Sequence, residues 1–292
     1  MPFLSLSANK DEGPALYIVS TPIGNLEDMT IRALRILKEV SLIAAEDTRH
    51  TRKLLSAFDI STRMMALHEH NEQERSARVI EKIHGGESIA LVTDAGTPCI
   101  SDPGYRLVSA AAEAGVRVVP VPGASALLAG LAAAGLPTDA FHYQGFLPKK
   151  QGKRLEILKG LASLPHTFVL YESPSRVVRL LGELEVIMGD RPAVLARELT
   201  KRHEEFLRGS LSGIARELSQ RPVVKGECTL MVGWAQVAEV DSGCDLDEEV
   251  RLALADSTES PSRLAKSLAK RLGLPKGEVY DAVVRLSDDP GD

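Results

Sequence analysis

The chain has 292 residues and a mass of 31.5 kDa, which at about 150 residues per domain points to two domains, with 44% hydrophobic residues to build their cores. That excludes a disordered or fibrous chain, and 35 Lys+Arg against 40 Asp+Glu, a net charge of -5, excludes a cationic nucleic-acid coat. Cys99, Cys228 and Cys244 lie far apart without a CxxC pair, which argues against a disulfide framework or a structural zinc site and fits a reducing cytosol. The opening MPFLSLSANKDEGP lacks a basic region followed by a long apolar core, and the longest apolar run, Ala124 to Leu136, is interrupted by Ser125, Gly130 and Gly135, so neither secretion nor membrane spanning is expected.

Residues 1–13 are expected to be a disordered leader, and structure is expected from Ala15. Leu16–Ser20 reads as a strand and Thr30 as the N-cap of a helix with Ile31, Leu34 and Leu37 on one face. Leu42–Ala45 and Met64–Leu67 read as short strands, and Asn71 with Glu74 as a capping-box start to a helix that stops at Gly85-Gly86. Strand Ser88–Thr93 is followed by a helix from Asp102-Pro103 to Gly115, strand Val116–Val119 and an Ala-rich helix over 124–134. Strand and helix alternate, so this half is read as α/β with a largely parallel sheet.

A second unit is placed after a boundary at 137–140: strand Thr167–Tyr171, a helix from Pro174, strands Ala193–Ala196 and Glu205–Gly209, a helix near Leu211–Leu218 and strand Glu227–Gly233. Its mixed order suggests α+β. The expected division is a leader over 1–14, an α/β domain over 15–137, a second over 138–238, and a linker and helical tail over 239–292. In the tail, Glu239–Glu249 reads as an acidic linker. Pro261 opens a helix carrying Leu264, Leu268 and Leu272, and a second helix after Pro275 carries Val279, Ala282, Val283 and Leu286, a helix-turn-helix pattern.

In open α/β sheets ligands bind beyond the carboxyl ends of the strands. Three strand-to-helix segments there, STPIGNLEDMT, VTDAGTPCISDPG and VPVPGASA, crowd Pro, Gly, Asp and Ser into tight turns that aim backbone N–H and C=O groups at a crevice. Common cofactor signatures fail. Gly24 alone does not make GxGxxG, no GxxxxGK[ST] occurs, and Gly-Ala-Ser-Ala-Leu around Ser125 lacks the second glycine of a nucleophile elbow. His68 and His70 have no evident third metal ligand.

The segments LYIVSTPIGNLED (16–28), AEDTRHTRKLL (45–55), LVTDAGTPCISDPG (91–104), VPGASA (121–126), TFVLYESP (167–174), ARELTKRH (196–203) and KGECTLMV (225–232) resemble the tetrapyrrole-methylase superfamily, over about residues 15–287. They are most similar to its branch of small-subunit ribosomal RNA cytidine 2′-O-methyltransferases, which carries Gly96-Thr97-Pro98 where corrin and sirohaem methylases have a GDP turn. The resemblance implies two α/β domains with a cleft between them plus a small C-terminal helical domain. It implies S-adenosylmethionine as donor, a decoding-region cytidine of 16S rRNA in the small ribosomal subunit as acceptor, a homodimer, and a cytoplasmic enzyme with no protein-bound metal. By the same resemblance the donor site comprises Pro22, Asp94, Gly96, Thr97, Pro98, Ser101, Gly123, Ser125 and Ala126, with Tyr171, Leu199 and Glu227 as a second-domain wall.

A ribose 2′-hydroxyl needs a base to take its proton or a cation to steady the forming alkoxide. Candidates are Glu46, Asp47 and Arg49 after one strand, and Glu198, Lys201 and His203 after another; Asp47 could equally cap the helix that follows it. Phosphate contacts are expected from Arg49, Arg52, Lys53, the loop residues Lys149, Lys150, Lys153 and Arg154, from Arg197, Lys201 and Arg202, and from Arg263, Lys266 and Lys270 on one helix face. With 4% aromatic residues, recognition by shape and phosphate is expected rather than extensive base stacking. Two other classes stay open: a tetrapyrrole C-methyltransferase, which calls for a capacious apolar cavity, and a non-catalytic RNA-binding module, which calls for no donor site.

Overall fold

A computed structural model describes residues 13–234, 246–256, 260–272 and 276–287. Residues 1–12 of the expected leader, most of the linker, Cys244 and Gly273 lie outside the described residues. Two compact units result, one ending at Trp234 and one containing the tail helices.

The first unit opens with a parallel sheet in the order β3-β2-β4-β1-β5. Its strands are β1 (Leu16–Val19), β2 (Leu42–Ala45), β3 (Met64–Ala66), β4 (Ile89–Val92) and β5 (Val118–Val121). Alternate side chains of β4 serve two cores: Ala90 and Val92 pack with Leu37 and Leu55, Ile89 and Leu91 with Val79, Ile83 and Leu107. The first core is covered by α1 (Ile31–Glu39) and α2 (Thr48–Ala57), the second by α3 (Glu72–His84) and α4 (Tyr105–Glu113). Strand β5 begins two residues later than its valines suggest.

Thr30 caps α1 as expected, its hydroxyl accepting from Ala33 N at 3.1 Å. The buried face is Ala33, Ile36 and Leu37, however, and Ile31 is 77% exposed, because the sheet meets the helix one step round from the Ile31/Leu34 stripe. Asn71 precedes α3 without a capping box: its Oδ1 accepts from His68 N, and Glu74 pairs along the surface with Arg78. The neighbouring Glu72, 4% exposed, reaches across to α4 instead, where its Oε1 accepts from the backbone N–H groups of Gly104, Arg106 and Leu107. Helix α4 therefore opens at Tyr105, not at Asp102-Pro103, behind Gly104 at φ +127°, where an added Cβ would collide with Leu91 and Cys99.

Helix α5 (Ala126–Ala134) follows β5 but lays Leu131 and Ala134 on the second sheet, against Val169, Val194, Ala196 and Met231. That sheet runs β6-β7-β10-β8-β9, from β6 (Phe141–Phe146), β7 (Thr167–Glu172), β8 (Pro192–Arg197), β9 (Glu205–Ser210) and β10 (Cys228–Val232). Only β6 and β7 pair in parallel, the mixed order expected from the sequence. Its other face is covered by α6 (Gln151–Ala162), α7 (Val177–Met188) and α8 (Leu211–Ser219). Neither β6 nor α6 is apparent from periodicity, since Gly145 breaks the alternation of β6.

The second unit has α10 (Pro261–Leu272) and α11 (Lys276–Ser287) where the sequence places two helices, with Leu264, Leu268, Val279, Ala282 and Val283 buried. A third helix, α9 (Leu246–Asp256), occupies part of the stretch read as acidic linker; its Val250 joins the same core. Asp247, Glu248 and Glu249 sit in its first turn, where the helix dipole favours negative charge.

Truncating Glu72 leaves three α4 N–H groups without their acceptor. Glu72→Ala should lower the unfolding free energy by about 2 kcal/mol in denaturant titration, and a change below a few tenths would show that the bonds contribute nothing.

Candidate active site

The carboxyl ends of β1, β4 and β5 are adjacent, and the loops leaving them are tied together. Thr21 and Gly96 exchange backbone hydrogen bonds, N to O at 2.8 and 3.0 Å. The Thr97 hydroxyl lies 2.9 Å from Ser20 Oγ and donates to Ala124 O at 3.2 Å, so one side chain links all three loops. Gly96 at φ +86° turns the β4 loop, and Cys99 and Ser101 continue it in left-handed conformations at +71° and +65°.

Between these loops and the second sheet lies a cavity of about 420 Å³. It gathers eight of the expected donor residues: Asp94, Gly96, Thr97, Ser101, Ser125, Ala126, Tyr171 and Glu227. Pro22, Pro98, Gly123 and Leu199 do not line it; Pro98 and Leu199 are buried, and Gly123 packs so closely on Ser20 that a Cβ would clash. Sequence reading missed Glu172 and Asp102, which also line it, and the Phe146 ring at its wall. Asp102 was legible only as a helix opener, and Phe146 sits on the strand that periodicity did not reveal.

Of the expected proton acceptors, only Glu46 lines the cavity, where its Oε2 accepts from the Thr93 hydroxyl at 2.7 Å. Asp47 caps α2 through Arg49 N at 2.8 Å, and the same side chain is gripped by the Arg49 guanidinium, which holds its carboxyl down at about 2. Arg49 is correspondingly raised and points into solvent. Lys201 bridges Glu198 Oε1 at 2.9 Å and Glu227 Oε2 at 3.0 Å. Burial pulls its ammonium down, but the two carboxylates outweigh it and the net shift is upward, so Lys201 is a fixed cation and not a neutral base. Its hydrogen bond to Glu198 holds that carboxyl below the usual range. Gly226, at φ +90°, lies where any Cβ would strike the Glu198 side chain.

Asp102 is the group of the other kind. Burial, reinforced by the charges of Glu46 and Asp94 against a hydrogen bond to Thr93, raises its pKa to about 6. Asp94, whose Oδ1 accepts from Asp47 N at 3.2 Å, is raised by burial as well. Among the described residues no cluster of three or more His, Cys, Asp or Glu side chains could hold a metal ion.

Arg49, Arg52, Lys53, Lys149, Lys150, Lys153, Arg202, Arg263 and Lys266 are exposed; the side chain of Lys270 lies outside the described residues. Arg154 is not a surface cation. It is 3% exposed, forks onto both oxygens of Glu183 at 2.7 Å and donates to Pro148 O and Lys149 O, because a guanidinium with five donors can brace a loop end that a lysine could not. Arg197 is likewise engaged by Glu205 and Lys225 O.

The sequence pattern of the tetrapyrrole (corrin/porphyrin) methylases matches residues 15–215. A Mesorhizobium japonicum protein named ribosomal RNA small subunit methyltransferase I is 46% identical over 281 residues, 96% of this chain and 94% of its own. Its namesake in Escherichia coli O157:H7 is 46% identical over 279 residues, covering 94% and 96%. The crystal structure of Thermus thermophilus uroporphyrin-III C-methyltransferase complexed with S-adenosyl homocysteine shares the fold, with a TM-score of 0.54 at 21% identity over 75% of this chain and 97% of that one. The chain therefore belongs to the tetrapyrrole (corrin/porphyrin) methylases and, within them, to the ribosomal RNA small subunit methyltransferase I group.

The two kinds of cation in the 149–154 segment should separate on mutation. Arg154→Ala leaves the half-buried Glu183 with only its longer contact to Arg179 and frees the Pro148 and Lys149 carbonyls, and should cost about 2 kcal/mol, whereas Lys150→Ala should leave the thermal midpoint within a degree or so; scanning calorimetry of both decides, and equal midpoints would contradict the bracing role.

Proposed function

We propose that this protein transfers a methyl group from S-adenosylmethionine to the ribose 2′-hydroxyl of a cytidine in the decoding region of small-subunit (16S) rRNA. The observation that carries this reading is the 46% identity, over more than nine-tenths of both chains, to relatives named for small-subunit rRNA methylation. With it come a cytoplasmic location and a second copy of the chain, both implied by the same family resemblance.

The residues present fit such a donor. The cavity has the size of a small-molecule site, its turns over Asp94–Thr97 and at Ser125 offer backbone groups for a nucleoside and an amino-acid end, and Glu46, Asp94 and Asp102, which have no cationic partner among the described ion pairs, give it a negative side that suits a cationic sulfonium. When bound, the donor supplies an activated methyl for in-line displacement, so the protein's main task is orientation. Asp94, Thr97 and Ser125 hold the donor end. Asp102 accepts the 2′-hydroxyl proton: it lines the cavity and burial raises its carboxyl to about 6, ionised enough to be present as base and basic enough to be useful. Lys201, fixed among carboxylates behind Glu227, steadies that wall and does not titrate.

The relatives do not favour tetrapyrrole methylation. Relatives 46% identical over more than nine-tenths of both chains are named for ribosomal RNA methylation and not for tetrapyrrole methylation. The function is tested by incubating the protein with small ribosomal subunits and methyl-labelled S-adenosylmethionine and analysing the nucleosides by mass spectrometry. Label on the ribose of cytidine supports the reading; label on a base, or none, overturns it.

Asp102→Asn should reduce the methylation rate by about 10² or more, and the wild-type rate should fall roughly tenfold per pH unit below about 6 as the carboxyl protonates. Stability should move the other way. The folded state takes up the Asp102 proton more readily than the unfolded chain, so its ionisation erodes stability as pH rises from the ordinary aspartate value of 3.8 through about 6. The Asn variant should therefore melt higher than wild type at pH 8 and lose that advantage at pH 4. A wild-type rate flat between pH 5 and 8 would remove Asp102 from the role.

A further inference from the structure

The edge strand β6 contains an irregularity that the donor site does not require. Tyr143 and Phe146 are three residues apart and in a regular strand would face opposite sides of the sheet. Pairing with β7 runs Tyr143 to Val169 and then Gly145 to Leu170, so Gln144 is an extra residue, a bulge made possible by Gly145 at φ +70°. The bulge returns Tyr143 and Phe146 to the same side, where both rings meet Tyr171 edge-on, at centroid distances of 5.3 and 5.5 Å. Tyr143 Oη lies 2.6 Å from Ser101 Oγ, which ties this aromatic group to the left-handed turn of the β4 loop. In a chain with six Phe, five Tyr and one Trp, three rings converge on one wall.

Phe146 lines the cavity yet is 57% exposed, so one of its faces is left uncovered by protein. Three residues on, the chain presents Lys149 and Lys150, then Lys153; all three are exposed, and among the described residues none forms an ion pair. The buried Arg154 clamps the backbone that carries them through Pro148 O and Lys149 O. An open ring beside unneutralised cations on a braced segment is the combination that holds single-stranded nucleic acid, with a base on the π-face and phosphates on the ammonium groups.

We propose that Phe146 is the stacking platform for the acceptor nucleobase, splayed out of its strand, with Lys149, Lys150 and Lys153 holding the flanking phosphates. This rests on the rRNA reading above and assigns the ring to the acceptor, not to the adenine of the donor. The lysines decide between them: they suit a base that arrives attached to a phosphate chain, and the donor has no phosphate.

The test uses the full chain with Phe146→Ala, Phe146→Leu and Phe146→Tyr. Binding of a fluorescent single-stranded oligocytidylate is followed by anisotropy, S-adenosylmethionine binding by calorimetry, and methylation of small subunits by kcat and KM. The Ala and Leu variants should weaken oligonucleotide binding by about tenfold or more and raise KM for the subunit to match, with donor affinity unchanged; Tyr, which keeps the ring, should restore both. Wild-type oligonucleotide affinity in Phe146→Ala overturns the proposal, and so does a parallel loss of donor affinity, which would give the ring to the adenine. If the wild-type protein methylates no rRNA but its oligonucleotide binding still depends on the ring, the substrate reading fails and the platform stands.

Discussion

The reciprocal hydrogen bonds between Thr21 and Gly96, with Thr97 reaching from Ser20 to Ala124, are the constraint on which the site depends. They join three loops that leave three adjacent parallel strands, and a loop so joined cannot relax into an ordinary turn. Its strain is visible as left-handed backbone at Cys99 and Ser101 and is balanced by fixed partners on both sides: Glu72 holding the start of α4, Tyr143 holding Ser101. Asp102 is trapped between those anchors. Its burial, beside Glu46 and Asp94, and hence its raised pKa, follows from backbone geometry set well outside the cavity.

The second constraint is that α5 leaves the first sheet and packs on the second. Ser125 and Ala126 at its start are thereby presented to the same cavity as Tyr171 and Glu227, so one short helix couples the tied loops to the opposite wall. Fixed charge then divides the labour. Asp47, Glu198, Lys201, Arg154 and Arg197 are all engaged in ion pairs that lock conformation, whereas Asp102 is left titratable and Lys149, Lys150 and Lys153 are left open. A residue of the right chemical type is not by that fact in the right state.

This division explains what the sequence could and could not reveal. The parallel sheet, the α10–α11 pair and most of the loop residues that line the cavity were legible because hydrophobic periodicity and dense Gly, Pro and Asp turns are local signals. The buried stripe of α1, the partner of Glu72 and the burial of Arg154 were not, because each is decided by an element distant in the chain. Strand β6 escaped because a bulge erases the period of two that marks a strand, and α9 because its apolar positions are diluted by the acidic residues that favour its first turn. Asp102 resembled an ordinary helix opener until Gly104 and Glu72 were seen to start the helix later.

The claim most directly exposed to experiment is that the tied loops and the second sheet jointly enclose the donor with its reactive carbon toward Asp102 and Phe146. A crystal structure with sinefungin measures this. The account predicts density against Asp94–Thr97 and Ser125, with the ligand's amine, which replaces the methyl, turned toward the Asp102 carboxylate and the open ring. Density elsewhere, or an amine turned away from both groups, would contradict it.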